Sequence, residues 1–423
     1  MGGPQARSAV RARSHALAVM LAAALIGGYV ASQPAHAATT RHMSPDQSLA
    51  NVLAHTHRGD TVRLSPGTYS AQYVRGLHLG GVTVIGHSTA DTSMAGLVLD
   101  DVSGVAFRDF TVTNAASAGD SAVKLEGGSA NITLSHLRVL PRVMSGVDIG
   151  ERSHDVRVLH SVIDGRYVTG NAATNGTARG IRINGSYQYG YDPAYWVHDI
   201  VVAGNRIRHA GSDDIQIVGA SGVVIRGNHI ERPQKNADHN DGVQSVASSN
   251  LLIAKNVFVA PGTASPDQAI ILGGDASNPY LRVSDVRVVN NIVHDWRGAG
   301  VIVAGATHVR VANNTVQDTS NASVAIVRPS GLAQTGISVV NNVLAKLEVS
   351  GTSVSEGHNC VRSGGHGAGD TAADPRFRPH TLYRLQADSP CRGRANSTAP
   401  SRDFGGRQRD HHPDAGAWEY LPS

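Results

Sequence analysis

Residues 213–231 read DDIQIVGASGVVIRGNHIE, and residues 241–259 read DGVQSVASSNLLIAKNVFV. The two stretches align without a gap, and each has three short apolar runs with an Asn before the third run. Runs rich in β-branched residues favour β-strands. Three short strands cannot bury an apolar face alone, whereas stacked copies of such a unit share one continuous core. The two stretches therefore predict a β-solenoid.

The same unit recurs along the chain. Its first strand has an apolar-x-apolar form at nine places, with the central residues Val98, Lys124, Asp148, Arg182, Gln216, Gln244, Ile271, Ile302 and Ile326. An Asn lies between the second and third strands of six units, at Asn205, Asn228, Asn256, Asn291, Asn314 and Asn342. Asn tolerates left-handed backbone and bonds to its own turn, so stacked Asn residues predict an amide ladder. His136 and His160 share the twelve-residue spacing seen in the plainest units and are assigned the same structural role.

This pattern resembles the right-handed parallel β-helix of the pectin-lyase-like superfamily over residues 45–350. The resemblance implies an all-β solenoid of about nine or more coils, with an N-terminal capping helix and a C-terminal closing segment. SPDQSLANVLAHTHRGD predicts that helix, with Ser44 as N-cap and Pro45 in the first turn, and DTVRLSPGTY predicts the opening strand. DPRFRP, YRLQADSPC and DAGAWEY resemble the closing segment of bacterial β-helix proteins. The solenoid is therefore assigned to 38–350 and the closing segment to 351–423.

The first 37 residues have the pattern of a secretory signal peptide. Three arginines precede the apolar run ALAVMLAAALIGGYV, and the segment ends in the small-x-small sequence Ala35-His36-Ala37. The apolar run is shorter than the roughly 20 residues that a membrane-spanning helix needs. We therefore expect a secreted protein without a membrane span.

Charge and cysteine content limit the partners of the mature chain. Removal of the leader takes away three arginines and no acidic residue, so the formal net charge falls from +4 to +1. The remaining arginines are scattered rather than clustered, which argues against a nucleic-acid partner. Cys360 and Cys391 are the two cysteines of the chain, and export allows them to form a disulfide that pins the C-terminal segment. The sequence leaves the oligomeric state open.

The outward face of the first strands is the predicted binding surface. Alternate side chains of a strand face opposite sides, so the central residue of each triplet points outward. This column is polar from Lys124 to Gln244, and the isoleucines that follow need cover from a loop or a partner subunit. Insertions on either side of Arg182 add aromatic residues beside the same coils: Tyr167, Tyr187, Tyr189, Tyr191, Tyr195 and Trp196. Polar, aromatic loops on a rigid scaffold predict a site for an extended polysaccharide.

The residue types at this surface suit a polysaccharide lyase that acts by β-elimination on a uronate-containing glycan. Such an enzyme needs a base and a cation or metal that stabilises the developing negative charge. The predicted catalytic residues are Lys124, Arg182, Asp213, Asp214 and Asp241, with Arg182 either the base or the anchor for the substrate carboxylate. The predicted substrate-binding residues are Asp148, Tyr189, Gln216, His239 and Gln244. The three catalytic aspartates would also suit Ca²⁺, which prefers oxygen ligands.

Other functions stay open. The NDG motif, which holds Asp241, and the SDD motif, which holds Asp213 and Asp214, resemble strand-leading motifs of polygalacturonases. Several carboxyl groups packed together suit a glycoside hydrolase. The order of the two motifs is reversed here, and the Gly-His-Gly and Arg-Ile-Lys motifs of that family are absent. YGYDPAY at 189–195 resembles the Tyr-Gly-Phe-Asp-Pro-His motif of mannuronan C5-epimerases, with Ala194 in place of His; an Asp-Pro turn is the structural alternative. A non-catalytic glycan-binding solenoid or adhesin would need none of these acids. The structural alternative for Arg182 and Asp148 is an ion-paired ladder on an exposed strand.

Overall fold

The computed structural model describes residues 37–114, 121–168, 178–185, 190–231, 240–260, 267–274, 278, 280–329, 331–332, 334–350, 353–364 and 367–419. The predicted signal peptide, apart from Ala37, lies outside the described residues. Tyr189 and His239 also lie outside them. Within the described ranges, no helix is long and apolar enough to cross a membrane.

Parallel strands form three long faces, which we name the first, second and third sheets. The first sheet contains Gln72–Arg75, Leu97–Asp100, Val123–Glu126, Val147–Gly150, Ile181–Asn184, Gln268–Gly273, Ala299–Ala304 and Val324–Val327. The second contains Thr40–Met43, Thr61–Leu64, His78–Ile85, Ser103–Arg108, Ala130–Ser135, His154–Leu159, Val197–Ala203, Val283–Val289, Thr307–Ala312, Ile337–Val340 and Val354–Gly357.

The third sheet contains Gly67–Tyr69, Thr92–Met94, Thr111–Thr113, Arg138–Leu140, Val162–Asp164, Arg206–Arg208, His229–Glu231, Val257–Val259, Ile292–His294, Thr315–Val316, Cys360–Gly364 and Thr371–Ala372. Three longer strands bend from one sheet into another: Ile215–Arg226, Val243–Ala254 and Val343–Val349. Each strand pairs in parallel with its equivalent one coil away, as Ile215 does with Val243. The predicted all-β parallel β-helix is confirmed.

The interior of the solenoid is one continuous apolar core. Inward side chains of all three sheets form a single buried cluster that extends from Met43 to Val361. Because no single coil could bury these side chains alone, the core depends on the stacking of neighbouring coils. Close packing of the coils is what sets the register of the outward side chains.

The predicted amide ladder is present and longer than expected. Asn205, Asn228, Asn256, Asn291, Asn314, Asn342 and Asn359 stack in consecutive coils, each accepting the backbone N–H of the Asn before it. At the N-terminal end the ladder continues to Ser161, whose N–H donates to Asn205 Oδ1 at 2.9 Å. His136 and His160 lie one residue before the ladder position of their coils, and their backbone is left-handed, with φ values of 51° and 48°. Their assignment to the Asn slot was wrong because the turn after the first strand is one residue longer in those two coils.

One register assignment was also wrong. Ala325, not Ile326, pairs with Ile302, and Ile326 is only 1% exposed. All four residues of VAIV are apolar, so the sequence does not show which of them point inward. A shift of one residue exchanges the two faces of a strand. The outward column also extends beyond the nine predicted coils, to Tyr73 at one end and Glu348 at the other.

Both ends of the solenoid are closed. The α-helix Leu49–Leu53 buries Leu49 and Leu53 against the first coils, and its N-cap is Ser48 rather than Ser44. Ser44 instead bonds to Asp46 in the preceding turn, and the opening strand is Thr40–Met43, ahead of the predicted one. At the other end, parallel pairing continues past residue 350 to Thr371–Ala372.

The predicted disulfide between Cys360 and Cys391 is present. It joins the third sheet to the closing segment, which runs back along the coils with few regular elements of its own. Arg409 of that segment donates to Glu419 at 2.9 Å and to Asn290 of the solenoid at 3.1 Å. Residues 38–423 form one compact unit, so the closing segment is part of the same body.

Candidate functional site

A polar groove lies on the outer face of the first sheet, in the coils that the sequence analysis selected. Strand pairing places Lys124, Asp148 and Arg182 side by side in three consecutive coils. Each step along the column is roughly 4.8 Å, the spacing between neighbouring strands. The groove has a volume of about 260 Å³, and its walls include Glu126, Met144, Glu151 and Asn184. Register between coils therefore brings together charged residues that are far apart in sequence.

Asp148 is the central carboxyl group of this groove. Its side chain is 12% exposed, and its Oδ2 lies 3.5 Å from Nη1 of Arg182. Burial raises the pKa of Asp148, although the positive charges of Arg182 and Lys124 oppose that shift. The net effect is a carboxyl group that is reachable from the groove and more basic than an ordinary aspartate.

Two further groups surround Asp148. Lys124 forms an ion pair with Glu126 at 2.9 Å, and both side chains are about one-third exposed. Arg179, which the sequence analysis missed, lies close enough for its charge to lower the pKa of Asp148. Its Nε is also 3.8 Å from Oδ2 of Asp213. Arg179 could have been found from its position three residues before Arg182. Asp213 and Asp241 occupy the equivalent position, three residues before Gln216 and Gln244, in the next two coils.

Asp213 and Asp241 belong to a buried ladder in the two coils that follow the coil of Arg182. Both residues are fully buried. Asp213 Oδ1 accepts the N–H of Asp241 at 3.1 Å, and Asp241 Oδ1 accepts the N–H of Gln268 at 2.8 Å. Burial and the charge of Asp213 raise the pKa of Asp241 well above its usual range. A sugar ring in the groove would not reach either carboxyl group directly.

Gln216 and Gln244 cover this ladder on the outer face of the first sheet. Gln216 Nε2 donates to Gln244 Oε1 at 2.8 Å and to Asp213 Oδ2 at 3.2 Å. Gln244 Nε2 lies 3.4 Å from Asp241 Oδ2. The two amides remain at the outward surface, as predicted, and separate the buried acids from the solvent.

The predicted outward orientation of Asp214 was wrong. The chain bends just before the strand begins at Ile215, so the residue that precedes it turns into the solenoid. Gly180 and Gly242 occupy the equivalent places in the two neighbouring coils, and a Cβ on Gly180 would meet the inward side chain of Ile207 at 2.6 Å. Asp214 is 0% exposed, and neither carboxylate oxygen has a hydrogen-bond partner within the described residues. Burial and the charge of Asp213 raise its pKa well above the usual range.

The three aspartates do not form the predicted calcium site. Asp214 faces the core, while Asp213 and Asp241 direct their oxygens to backbone and glutamine N–H groups. In the part of the chain that the structure describes, no group of three or more His, Cys, Asp or Glu residues is arranged to hold a metal ion. These residues do not fit the oxygen-rich shell that Ca²⁺ requires.

The described part of the epimerase-like loop forms a turn. Asp192 caps the short 3₁₀ helix Pro193–Tyr195 and accepts the N–H of Ala194 at 2.9 Å. Trp196 Nε1 donates to the carbonyl of Tyr191 at 3.2 Å, and Arg152 stacks on the ring of Tyr195. These contacts account for the Asp-Pro motif without a catalytic role.

Comparison with solved structures supports the same fold. The pectate lyase Pel9A matches with a TM-score of 0.53 and 14% identity, over 90% of this chain and 96% of its own. An alginate lyase from Paenibacillus sp. str. FPU-7 matches with a TM-score of 0.54 and 15% identity, over 75% of this chain and 99% of its own. The PL6 family alginate lyase AlyGC matches with a TM-score of 0.54 and 13% identity, over 83% of this chain and 55% of its own.

No family model matches the chain, and no curated protein matches it. The likeness to the three lyases is therefore a likeness of architecture. The chain has a parallel β-helix fold, as the sequence predicted.

Proposed function

We propose that this protein cleaves a uronate-containing polysaccharide by β-elimination. The observation that carries the proposal is Asp148, a carboxyl group with a raised pKa that lies between Lys124 and Arg182 on the floor of a groove. A general base is most effective when its pKa lies near the working pH. A cation beside the base stabilises the negative charge that develops on the substrate carboxylate.

Each residue has one role in the proposed reaction. Arg182 pairs with the substrate carboxylate. Asp148, in its ionised form, removes the proton from the carbon beside that carboxylate. The electron pair left behind forms the C4–C5 double bond while the C4–O bond to the next sugar breaks. Lys124 donates a proton to the leaving oxygen. Asp148 then gives its proton to water, and Lys124 takes a proton from water, which restores both groups.

Two further observations support this choice. The lyases that share the fold are named for their action on pectate and alginate, both of which are polyuronates. The hydrolase alternative relied on Asp213, Asp214 and Asp241, and all three residues are fully buried. We propose that the protein acts outside the cytoplasm, in keeping with the disulfide between Cys360 and Cys391.

The test is incubation of the protein with a panel of uronate-containing and neutral glycans. Ultraviolet absorbance reports unsaturated ends, and a reducing-sugar assay reports all new ends. We expect both signals on a uronate-containing glycan. Replacing Arg182 with Gln removes the charged partner of the substrate carboxylate, so this variant is expected to have a higher KM and a lower kcat.

A matched control is Asp285→Asn, which neutralises an exposed acid in the second sheet, and it should retain wild-type activity. New reducing ends without absorbance would show hydrolysis and overturn the lyase proposal. An altered sugar without new ends would point to epimerisation. Wild-type activity in Arg182→Gln would remove that residue from the mechanism.

A further inference from the structure

The outer face of the first sheet changes character along the solenoid. Two adjacent columns of outward residues form the floor of this face. From the coil of Lys124 to the coil of Arg182 the floor carries charged groups. In the next five coils it carries none: one column continues as Gln216, Gln244, Ile271, Ile302 and Ala325, and the other as Val218, Val246, Gly273, Ala304 and Val327. We name these ten residues the uncharged floor.

The uncharged floor is long and mostly apolar. Five coils span roughly 24 Å at the usual strand spacing. Ile271 and Ile302 are half-buried, and Val327 is 44% exposed, so their side chains form part of the surface. Charge returns only in the following coil, at Glu348, whose carboxylate pairs with Lys346. The uncharged floor thus begins where the proposed catalytic groove ends and continues in the same direction.

A fully charged polyuronate does not suit this surface. An extended chain bound at Lys124, Asp148 and Arg182 would lie across the uncharged floor and would bring a carboxylate over it at every sugar. Loss of hydration without a compensating partner is costly for an ionised carboxylate. Uncharged sugars, in contrast, have ring faces of C–H groups that pack favourably on apolar side chains.

We infer that the substrate is a glycan in which the uronate cleaved at Asp148 is followed, over the next five coils, by uncharged sugar residues. This inference rests on the proposed function, and it separates the substrate from the polyuronates for which the lyases of similar fold are named. The uncharged stretch has two chemical sources: neutral sugars, or uronates whose carboxyl groups are methyl-esterified.

The test compares three polymers. They are polygalacturonate, its highly methyl-esterified form, and a heteropolysaccharide in which each uronate is separated by neutral sugars. We call the methyl-esterified polymer and the heteropolysaccharide the interrupted polymers, because uncharged residues interrupt their run of carboxylates. We expect kcat/KM to be at least tenfold higher on one of these two polymers than on polygalacturonate. Whichever is preferred identifies the source of the uncharged stretch. Retention in affinity electrophoresis, measured with the Asp148→Asn variant, reports binding separately from cleavage.

Ile302→Lys places a cation in the middle of the uncharged floor. It should reduce the preference for the interrupted polymer by about tenfold and strengthen retention by polygalacturonate. Val224→Lys is the matched control, because Val224 is a half-buried outward residue of the second sheet, and it should leave the preference unchanged. Ile271→Thr, which removes apolar surface without adding charge, serves if the lysine variant fails to fold, and it should weaken retention of the interrupted polymer.

The outcomes separate the two proposals. Unsaturated products with equal or better kcat/KM on polygalacturonate would overturn the inference and leave the lyase proposal standing. New reducing ends without unsaturated products would overturn the lyase proposal. If the Ile302→Lys variant then lost the preference for the interrupted polymer, the inference that the uncharged floor binds uncharged sugars would still be supported. Neither cleavage nor retention on any of the three polymers would overturn both.

Discussion

Asp148 lies where burial and neighbouring charges act against each other. Burial favours its neutral form, whereas Arg182 and Lys124 favour its ionised form, and burial is the stronger effect. Asp214 faces the core, and no cation among the described residues lowers its pKa. The sequence pattern places both aspartates on the outer face of the solenoid. In the structure, Asp148 lies in the groove and Asp214 lies in the interior. Their environments lead to two different predictions.

Asp148→Asn is expected to lower kcat by about 10²–10⁴, the usual contribution of a general base. The wild-type rate should fall at acidic pH because Asp148 must be ionised to accept a proton. Since its pKa is raised, this acidic limb should lie above the pKa of an ordinary aspartate. The measurement is kcat against pH on the preferred polymer.

Asp285→Asn is again the control and should keep the wild-type profile. An Asp148→Asn variant that retains full activity would exclude Asp148 as the base. A wild-type limb at the pKa of an unperturbed aspartate would also contradict the assignment.

Asp214→Asn is expected to stabilise the protein at neutral and alkaline pH. In the unfolded chain Asp214 has an ordinary pKa near 3.8, and in the folded protein its pKa is raised well above that value. Folding therefore takes up a proton between the two pKa values, and the wild-type stability falls as pH rises through that window. The Asn variant does not titrate, so its Tm should exceed that of the wild type at pH 8 and match it near pH 4.

Thermal unfolding at both pH values measures this difference. Asp285→Asn changes an exposed acid and should reproduce the wild-type dependence of Tm on pH. An Asp214→Asn variant with a lower Tm than the wild type at pH 8 would contradict the prediction.

At the scale of the element, the turn between the second and third strands depends on the Asn ladder in the seven coils that carry it. Asn256 accepts two hydrogen bonds from Asn228, at 2.9 and 3.0 Å, and donates to Ile225 O and Asn291 Oδ1, both at 3.0 Å. All of these groups are buried. Four bonds per residue, repeated in consecutive coils, hold the turn in one conformation.

Asn256→Ala is expected to destabilise the protein by on the order of 3 kcal/mol, because it leaves buried donors and acceptors of the adjacent coils unsatisfied. The measurement is the free energy of unfolding in denaturant. Asn321→Ala removes an exposed amide and should change stability by less than about 0.5 kcal/mol. Equal stability of the two variants would show that the ladder is dispensable.

Most elements were predictable from the sequence, but their exact register was not. The β-branched runs and the recurring Asn identified the coils because they reflect local preferences that every coil repeats. The predicted positions of Ile326 and His160 were each wrong by one residue. For His160 the cause is a longer turn, and for Ile326 it is a strand whose sequence allows either face to point outward. The capping helix began at Ser48 because Ser44 bonds to Asp46 instead.

At the scale of the whole molecule, the closing segment is held by one covalent link and a few buried polar contacts. The disulfide joins residues that are 31 apart in sequence. Arg409 is buried and bonds to Glu419, whose pKa burial raises to about 7. The segment has little regular structure of its own, and its apolar packing is a small buried cluster in which Leu385 and Ala415 lie with Val343 of the solenoid.

Cys391→Ser is expected to lower stability by about 3–4 kcal/mol, the loop-closure contribution of a disulfide over this separation. The loss should be local, so that limited proteolysis cuts the closing segment first and leaves the solenoid intact. The measurement is proteolysis followed by mass spectrometry.

The double variant Cys360→Ser/Cys391→Ser should behave as the single variant does, since the link is already lost. Proteolysis that begins within the solenoid coils, or an unchanged pattern, would show that the disulfide does not hold the segment in place.

The sequence by itself determined the architecture, the polar stretch of the outward column and the disulfide, because each follows from a repeat or from a residue type with few alternatives. Only the tertiary structure decided which acids face the groove. Asp213, Asp214 and Asp241 read alike as polar residues before a strand, yet the chain bends there, and stacking buries all three. Asp148 and Arg182 remain at the surface because they lie within the strands, where alternation holds. The groove is a property of stacked coils, and no single coil contains it.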